Sequence, residues 1–208
     1  LHLFDNSKIW FYIFQYPLSY LEFFAVITGI IAVGLAALGK RFNFIIGIIN
    51  AILYSILFYQ IQLYADMFLQ MYYFAMSVWG YAYWKHTNNY IQYNSLSSKQ
   101  KRHLSALIII GTILFSIIIK NLHVLLPQFF SQKASFPIFD SFISFSSIVA
   151  MYLLAKKYIE NWHLWIIVNA VAIVIYALKG IIFTSLLYFI FLLIAIQAII
   201  VWRKKQKN

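Results

Sequence analysis

The residues best suited to chemistry in this chain are Trp162, Trp165 and Asn169, in the run N-W-H-L-W-I-I-V-N from Asn161 to Asn169. On a helix they fall at i, i+3 and i+7, so two indoles and one carboxamide share a stripe. Such a stripe can stack a flat aromatic solute and hydrogen-bond its polar edge. The same residues also suit a membrane–water interface, where tryptophan collects. Two further stripes carry the same kinds of group. Asn43, Gly47, Asn50 and Tyr54 lie at i, i+4, i+7 and i+11, and Gln70, Tyr73, Ser77, Gly80 and Trp84 at i, i+3, i+7, i+10 and i+14. Each alone also reads as a packing surface, since Asn and Gln bond across membrane helices and Gly permits close approach. Three such faces turned into one bundle favour a ligand site, with Trp162, Trp165, Asn169, Gln70, Tyr73, Asn50, Tyr54 and Asn43 as its expected lining.

Composition fixes the setting of those stripes. The chain has 208 residues, 63% hydrophobic and 10% charged, where a soluble domain has about 25% charged residues. Lipid must therefore be its main solvent. The formal net charge is +11, but the basic residues cluster between apolar runs, which is the topogenic pattern. Nucleic acid is excluded as a partner on that ground. With no cysteine there is no disulfide and no thiolate metal site.

Enzyme motifs are missing. There is no H-E-x-x-H, no G-x-S-x-G, no Walker A run and no carboxylate pair at helical spacing. No cofactor and no metal is expected, and the chain does not read as an enzyme. His163 lies about 100° around the helix from Trp162 and reads as an interfacial residue. Of the acids, Glu22, Asp66 and Asp140 each open an apolar segment, where a negative charge suits the helix N-terminus. An acid deep in a span, which proton pumping would need, is not evident.

The elements that must position the stripes are long and apolar. Residues 1–19 are aromatic but too short to span, and they predict an interfacial N-terminal helix. Seven spanning helices are expected at 20–39, 44–60, 66–84, 104–120, 138–155, 162–178 and 181–202. A wet loop is expected over 85–103, and helix stops at Pro127 and Pro137. Lys40, Arg41, Lys85, Lys99, Lys101, Arg102, Lys156, Lys157, Arg203, Lys204, Lys205 and Lys207 all follow odd-numbered spans, against Lys8, Lys120, Lys133 and Lys179 on the other side. The positive-inside rule then puts the C-terminus in the cytoplasm and the N-terminus outside.

An internal repeat shows in the spacing. Asn50-Ala51 precedes Trp84-Lys85 by 34 residues, and Asn169-Ala170 precedes Trp202-Arg203 by 33. Gly39-Lys40-Arg41 ends the first span as Ala155-Lys156-Lys157 ends the fifth. The organisation is three helices over 20–84, a linker helix with its loops over 85–137, three helices over 138–202 and a basic tail over 203–208. Three helices plus one make an even number, so the triplets run in the same direction, as in the SWEET-like 3+1+3 arrangement. Parallel repeats place a substrate near mid-membrane, between the triplets.

Assembled, these motifs resemble the Pnu family of bacterial vitamin transporters over about residues 20–202. The stretches that carry the resemblance are Leu21-Glu22 through Gly29, Asn43 to Gly47 with Tyr54, and L-Y-A-D-M-F-L-Q-M-Y-Y at 63–73. Gly80 with Trp84, F-P-I-F-D at 136–140 and E-N-W-H-L-W-I-I-V-N at 160–169 complete them. The resemblance implies an all-α SWEET-like carrier in the bacterial inner membrane. It would move a vitamin precursor by facilitated diffusion, with uptake sustained by phosphorylation in the cytoplasm. Nicotinamide riboside is the implied substrate and thiamine, also a flat aromatic cation, the alternative. A non-transporting membrane scaffold is the reading from a different class. A homo-oligomer is compatible with all three. One departure stands out: the family often has an Asn-Trp pair where this chain has Asn43-Phe44, so the indole N–H donor is lost there.

Overall fold

The structure is a computed structural model that describes residues 5, 8–13, 16–61, 64–86, 93–128, 135–180 and 182–207. Its elements are β1 (Ile9–Ile13), β2 (Tyr16–Ser19), α1 (Tyr20–Ala37), α2 (Phe42–Gln60), α3 (Tyr64–His86), α4 (Ser98–Leu125), α5 (Pro137–Ala155), α6 (Glu160–Leu178) and α7 (Ile182–Lys207). Among the described residues the protein is thus all-α apart from one hairpin, and six of the seven helices there are long and apolar enough to cross a membrane. The remaining one, α3, is long enough but carries Asp66, Gln70 and Lys85, and it is packed between α2 and α5. Large apolar side chains cover the outside, Ile109, Ile113 and Ile117 of α4 among them. Lipid-facing positions require that, because hydrocarbon solvates no polar group.

The N-terminal segment corrects one expectation. Instead of an interfacial helix, β1 and β2 form an antiparallel hairpin, with Tyr12 opposite Pro17 and Ile13 opposite Tyr16. Aromatic and β-branched residues suit a pleated surface, and Pro17 would break a helix interior but is tolerated on a two-stranded edge. Trp10 stacks on Tyr20 at 4.9 Å, fixing the hairpin to α1. Ser19 then caps α1 by accepting from the Glu22 backbone N–H at 3.1 Å.

The linker helix is longer than its apolar run. A capping box between Ser97 and Gln100 starts α4 at Ser98, inside the stretch expected to be loop, and the helix continues to Leu125. Pro137, expected as a stop, opens α5 from its first turn, where a missing N–H costs nothing. The helix α4 packs on α5, with Gly111 against the Phe145 ring.

The two triplets share one register. α2 starts at 42 and α6 at 160, α3 at 64 and α7 at 182, and α1 ends at 37 and α5 at 155, so each pair is 118 apart. Just past the first helix of each triplet, Gly39 (φ +68°) and Lys157 (φ +60°) take the left-handed conformation that turns the chain. Asn43 Nδ2 donates to the Lys40 carbonyl at 2.7 Å, and Asn161 Nδ2 donates to that of Tyr158 at 2.6 Å. Between triplets, α3 packs on α5 and α7 packs on α1. This register sets Asn50 against Val168 and Asn169 against Ala51, so the match of Asn50 with Asn169 read from spacing is one residue out.

Candidate functional site

The end of the bundle marked by Trp84 and Trp202 is tightly closed. Trp84 Nε1 donates to the Ala155 carbonyl at 2.9 Å, and Trp202 Nε1 donates to Ala36 and Ala37 at 3.2 and 3.1 Å. Each indole thereby satisfies carbonyls freed at the C-terminus of a helix in the other triplet. Phe44 meets Trp84 edge-on at 5.0 Å, and Trp162, its counterpart in register, meets Trp202 edge-on at 5.5 Å. Phe44 is completely buried and lies over Gly80, where a Cβ would come within 2.5 Å of its ring. The missing indole N–H at position 44 therefore falls in packed core.

Tyr93 seals the same end. Its ring lies 4.4 Å from that of Trp202, it is 2% exposed, and its hydroxyl has no hydrogen-bond partner among the described residues. Burial pushes that phenol up to about 12. Gly39 passes under it, where any Cβ would overlap the hydroxyl. The strand-like stretch that follows crosses to the other triplet. Asn94 donates its N–H to Lys157 at 2.9 Å, its carbonyl accepts from Ile159 at 3.0 Å, and Ser95 donates to Glu160 at 2.9 Å. Glu160 also pairs with Lys101 of α4 at 3.0 Å. Burial pushes the Lys157 ammonium below its ordinary range, and its nitrogen stands 5.2 Å from the Trp84 ring.

The eight residues expected to line a site do not share one surface. Trp162 is 1% exposed, inside the closed aromatic end, and its indole N–H has no partner among the described residues. Trp165 is half-buried. It packs against both that cluster and a second one formed by Ile143, Val168, Ala172 and Ile175. Asn169 is 2% exposed, one turn further along α6. Asn43 is occupied with the Lys40 carbonyl. Asn50 donates to the Ala25 carbonyl at 2.6 Å and to Thr28 Oγ1 at 3.1 Å, which ties α2 to α1. The α2 and α3 stripes partly face each other, since a Cβ at Gly47 would stand 3.1 Å from Ser77 Oγ. Gln70 and Tyr73 are half-buried on α3, and Tyr73 reaches Ser147 of α5 with a side-chain hydrogen bond. Tyr54 is half-buried and stacks on Phe58 at 5.4 Å.

Beyond Trp165 the bundle is lined with phenols that the sequence stripes missed. Tyr176 of α6 and Tyr188 of α7 stack at 5.2 Å with planes 14° apart, and both pack against the second cluster. Tyr54, Tyr73 and Asp66 lie within electrostatic reach of Tyr188. Near them Lys179 is salt-bridged to Asp140 at 2.7 Å, and Tyr16 donates to Glu22 at 2.7 Å. Asp140 and Glu22, read as helix-end charges, thus bind side chains of other elements. Tyr176 and Tyr188 fall on apolar helices without a polar stripe of their own, so only their meeting in three dimensions marks them. His163 contacts Arg203 at 3.3 Å, at the closed end. A groove of about 260 Å³ between α2 and α3, lined by Ala51, Ile52, Ser55, Ile56, Met71 and Phe74, faces outward and touches none of these groups.

Comparisons with known proteins agree with this architecture. A family model described as nicotinamide mononucleotide transporter matches residues 19–204. The nicotinamide riboside transporter PnuC of Escherichia coli K12 is 33% identical, over 90% of this chain and 86% of that protein. The protein of the same name from Haemophilus influenzae is 27% identical, over 100% and 89% respectively. A crystal structure of the vitamin B3 transporter PnuC superposes with a TM-score of 0.73 at 27% identity, covering 90% of this chain and 82% of that one.

Proposed function

The chain belongs to the nicotinamide mononucleotide transporter family, and on that premise we propose that it carries nicotinamide riboside across the bacterial inner membrane by facilitated diffusion. The observation that carries this reading is the cluster of Ile143, Val168, Ala172 and Ile175. The half-buried indole of Trp165 and the stacked phenols Tyr176 and Tyr188 all pack against it, with Asn169 on the same helix as Trp165. Flat cationic rings are attracted to such ring faces by about 0.5–2 kcal/mol each. The amides of Gln70 and Asn169 and the Tyr73 hydroxyl would serve the carboxamide and ribose.

The riboside suits this lining better than the mononucleotide of the family's description. A phosphate would call for arginine or lysine partners. The cation near the phenols, Lys179, is already held by Asp140.

In this reading the triplets α1–α3 and α5–α7 are SWEET-like parallel repeats, supported by their common register and their exchanged tryptophan bonds. The lysine- and arginine-rich end at Trp84 and Trp202 faces the cytoplasm, and the end at Asp66 and Tyr188 faces outward. The closed cytoplasmic end must part for release, and phosphorylation inside the cell keeps the product from returning. Uptake of labelled nicotinamide riboside by proteoliposomes without any imposed gradient tests this. Saturable equilibration to the internal volume is expected. Uptake no faster than in protein-free vesicles, or uptake only under an ion gradient, overturns it.

A further inference from the structure

Residues 93–97 cross the closed end as a strap just before α4, and outside α4 the strap is bonded to the second triplet. Gln206 of α7 donates to the Tyr93 carbonyl at 3.2 Å. Asn94 is held on both sides, by the Lys157 carbonyl and the Ile159 N–H, and Ser95 donates to Glu160. Glu160 is 6% exposed, and the oxygen that accepts from Ser95 also holds Lys101 of α4 at 3.0 Å. A carboxylate so far out of water needs both partners in place, so Glu160 anchors the strap and the start of α4 together.

Toward the first triplet the strap makes no hydrogen bond among the described residues. It presents the Tyr93 phenol instead. The ring rests on Trp202, and the hydroxyl lies against Gly39, just past the end of α1, with no partner among the described residues. The cost of burying that hydroxyl falls on the closed state alone, because water satisfies it as soon as Tyr93 and Gly39 separate. Bonds on one side and an unpaired polar contact on the other set the line of separation between Tyr93 and Gly39. Repeats of a carrier that rock as bodies part along such a line.

We propose that residues 93–97 are the gate strap of the closed end. The strap moves with the second triplet, anchored at Glu160, and Tyr93 is the plug that leaves Gly39 when the triplets part. The buried hydroxyl keeps the closed state from being too stable to open. The proposal rests on the carrier reading and names the part of the closed end that releases.

The chain has no cysteine, so one introduced thiol reports opening at a chosen place. Ala37, 6% exposed, ends α1 in the aromatic cluster that holds Tyr93. Ala25 is fully buried in the separate cluster of Leu21, Leu53 and Leu57. The rate at which a maleimide labels Ala37→Cys and Ala25→Cys proteins, purified in detergent, is measured in each gate background. Glu160→Ala is expected to speed labelling of Ala37→Cys by about tenfold or more and leave Ala25→Cys within about twofold. Tyr93→Phe, which keeps the ring and removes the unpaired hydroxyl, is expected to slow labelling of Ala37→Cys by about fivefold or more. That variant decides the matter if Glu160→Ala does not fold. Equal acceleration at both cysteines, or labelling of Ala37→Cys that Tyr93→Phe leaves unchanged or speeds, overturns the proposal. Labelling needs no substrate, so its failure leaves the carrier reading to the riboside uptake measurement, which tests that reading separately.

Discussion

Trp84 and Trp202 hold the two triplets together by the same bond made in opposite directions. Trp84, on the last helix of the first triplet, donates to the end of the first helix of the second, at Ala155. Trp202, on the last helix of the second, donates to the end of the first helix of the first, at Ala36 and Ala37. Every carbonyl involved belongs to a helix C-terminus, and that of Ala36 also accepts from the Gly39 N–H at 2.9 Å.

Removing either donor should therefore cost stability at a matching place. Trp84→Phe and Trp202→Phe keep most of the packing but remove the indole donor from the buried carbonyls of Ala155 and Ala37, a loss of about 1–3 kcal/mol each. Thermal unfolding in detergent should show both variants clearly below wild type. Trp79→Phe, on the partly exposed α3–α5 seam where Trp79 stacks on Tyr152 at 5.9 Å, should show a smaller drop.

The left-handed turns give a second, finer test. Gly39 and Lys157 occupy equivalent positions, and a non-glycine residue there costs about 1–2 kcal/mol of backbone strain. Lys157→Gly relieves that strain while losing the stand of its ammonium over Trp84, so its unfolding temperature should stay near that of wild type. Lys157→Ala loses the contact and keeps the strain, and should melt lower. Gly39→Ala should be worse still, because its new methyl group meets the Tyr93 hydroxyl.

Tyr93 itself carries a buried hydroxyl without a partner. Tyr93→Phe removes a polar group whose desolvation is uncompensated, a term of about 1–3 kcal/mol. The variant is expected to be at least as stable as wild type. A marked loss of stability would mean that the hydroxyl has a partner in the working protein.

The tryptophan run separates into two roles, and mutation should separate them too. Trp162 is core, so Trp162→Ala should destabilise by about 3–5 kcal/mol, as large aromatic truncations do. Trp165 is half-buried between the core and the phenols, so Trp165→Ala should fold and lose ligand affinity. Comparing melting temperature with affinity for the two variants distinguishes them.

How much of this was legible before the fold was known differs by element. The apolar segments were plain, because lipid demands about 20 apolar residues per crossing and leaves a strong signal. The repeat expected from Trp84 and Trp202 with their basic neighbours is supported by the common offset of 118 between α1–α3 and α5–α7, in which Asn50 and Asn169 fall one residue out of register. The hairpin was missed because Ile9 to Ile13 is an unbroken apolar and aromatic run, with no alternation to tell strand from helix. The start of α4 was missed because polar composition hid the S-x-x-Q signal at Ser97. For the site, one stripe on one helix could not tell Trp162 from Trp165. Their burial depends on Trp202, forty residues along the chain, and on Tyr93 from the α3–α4 connection. Tyr176, Tyr188 and Asp66 come from three helices, and no spacing rule within one segment joins them.

The most direct measurement of the central claim is a calorimetric titration of purified wild-type and Trp165→Ala protein with nicotinamide riboside, thiamine and riboflavin. Saturable binding of nicotinamide riboside to the wild type is expected, with thiamine and riboflavin weaker, and loss of that binding in a Trp165→Ala protein that melts near wild type. No heat from nicotinamide riboside, or full affinity in Trp165→Ala, would contradict a carrier whose cargo rests on the Trp165 indole.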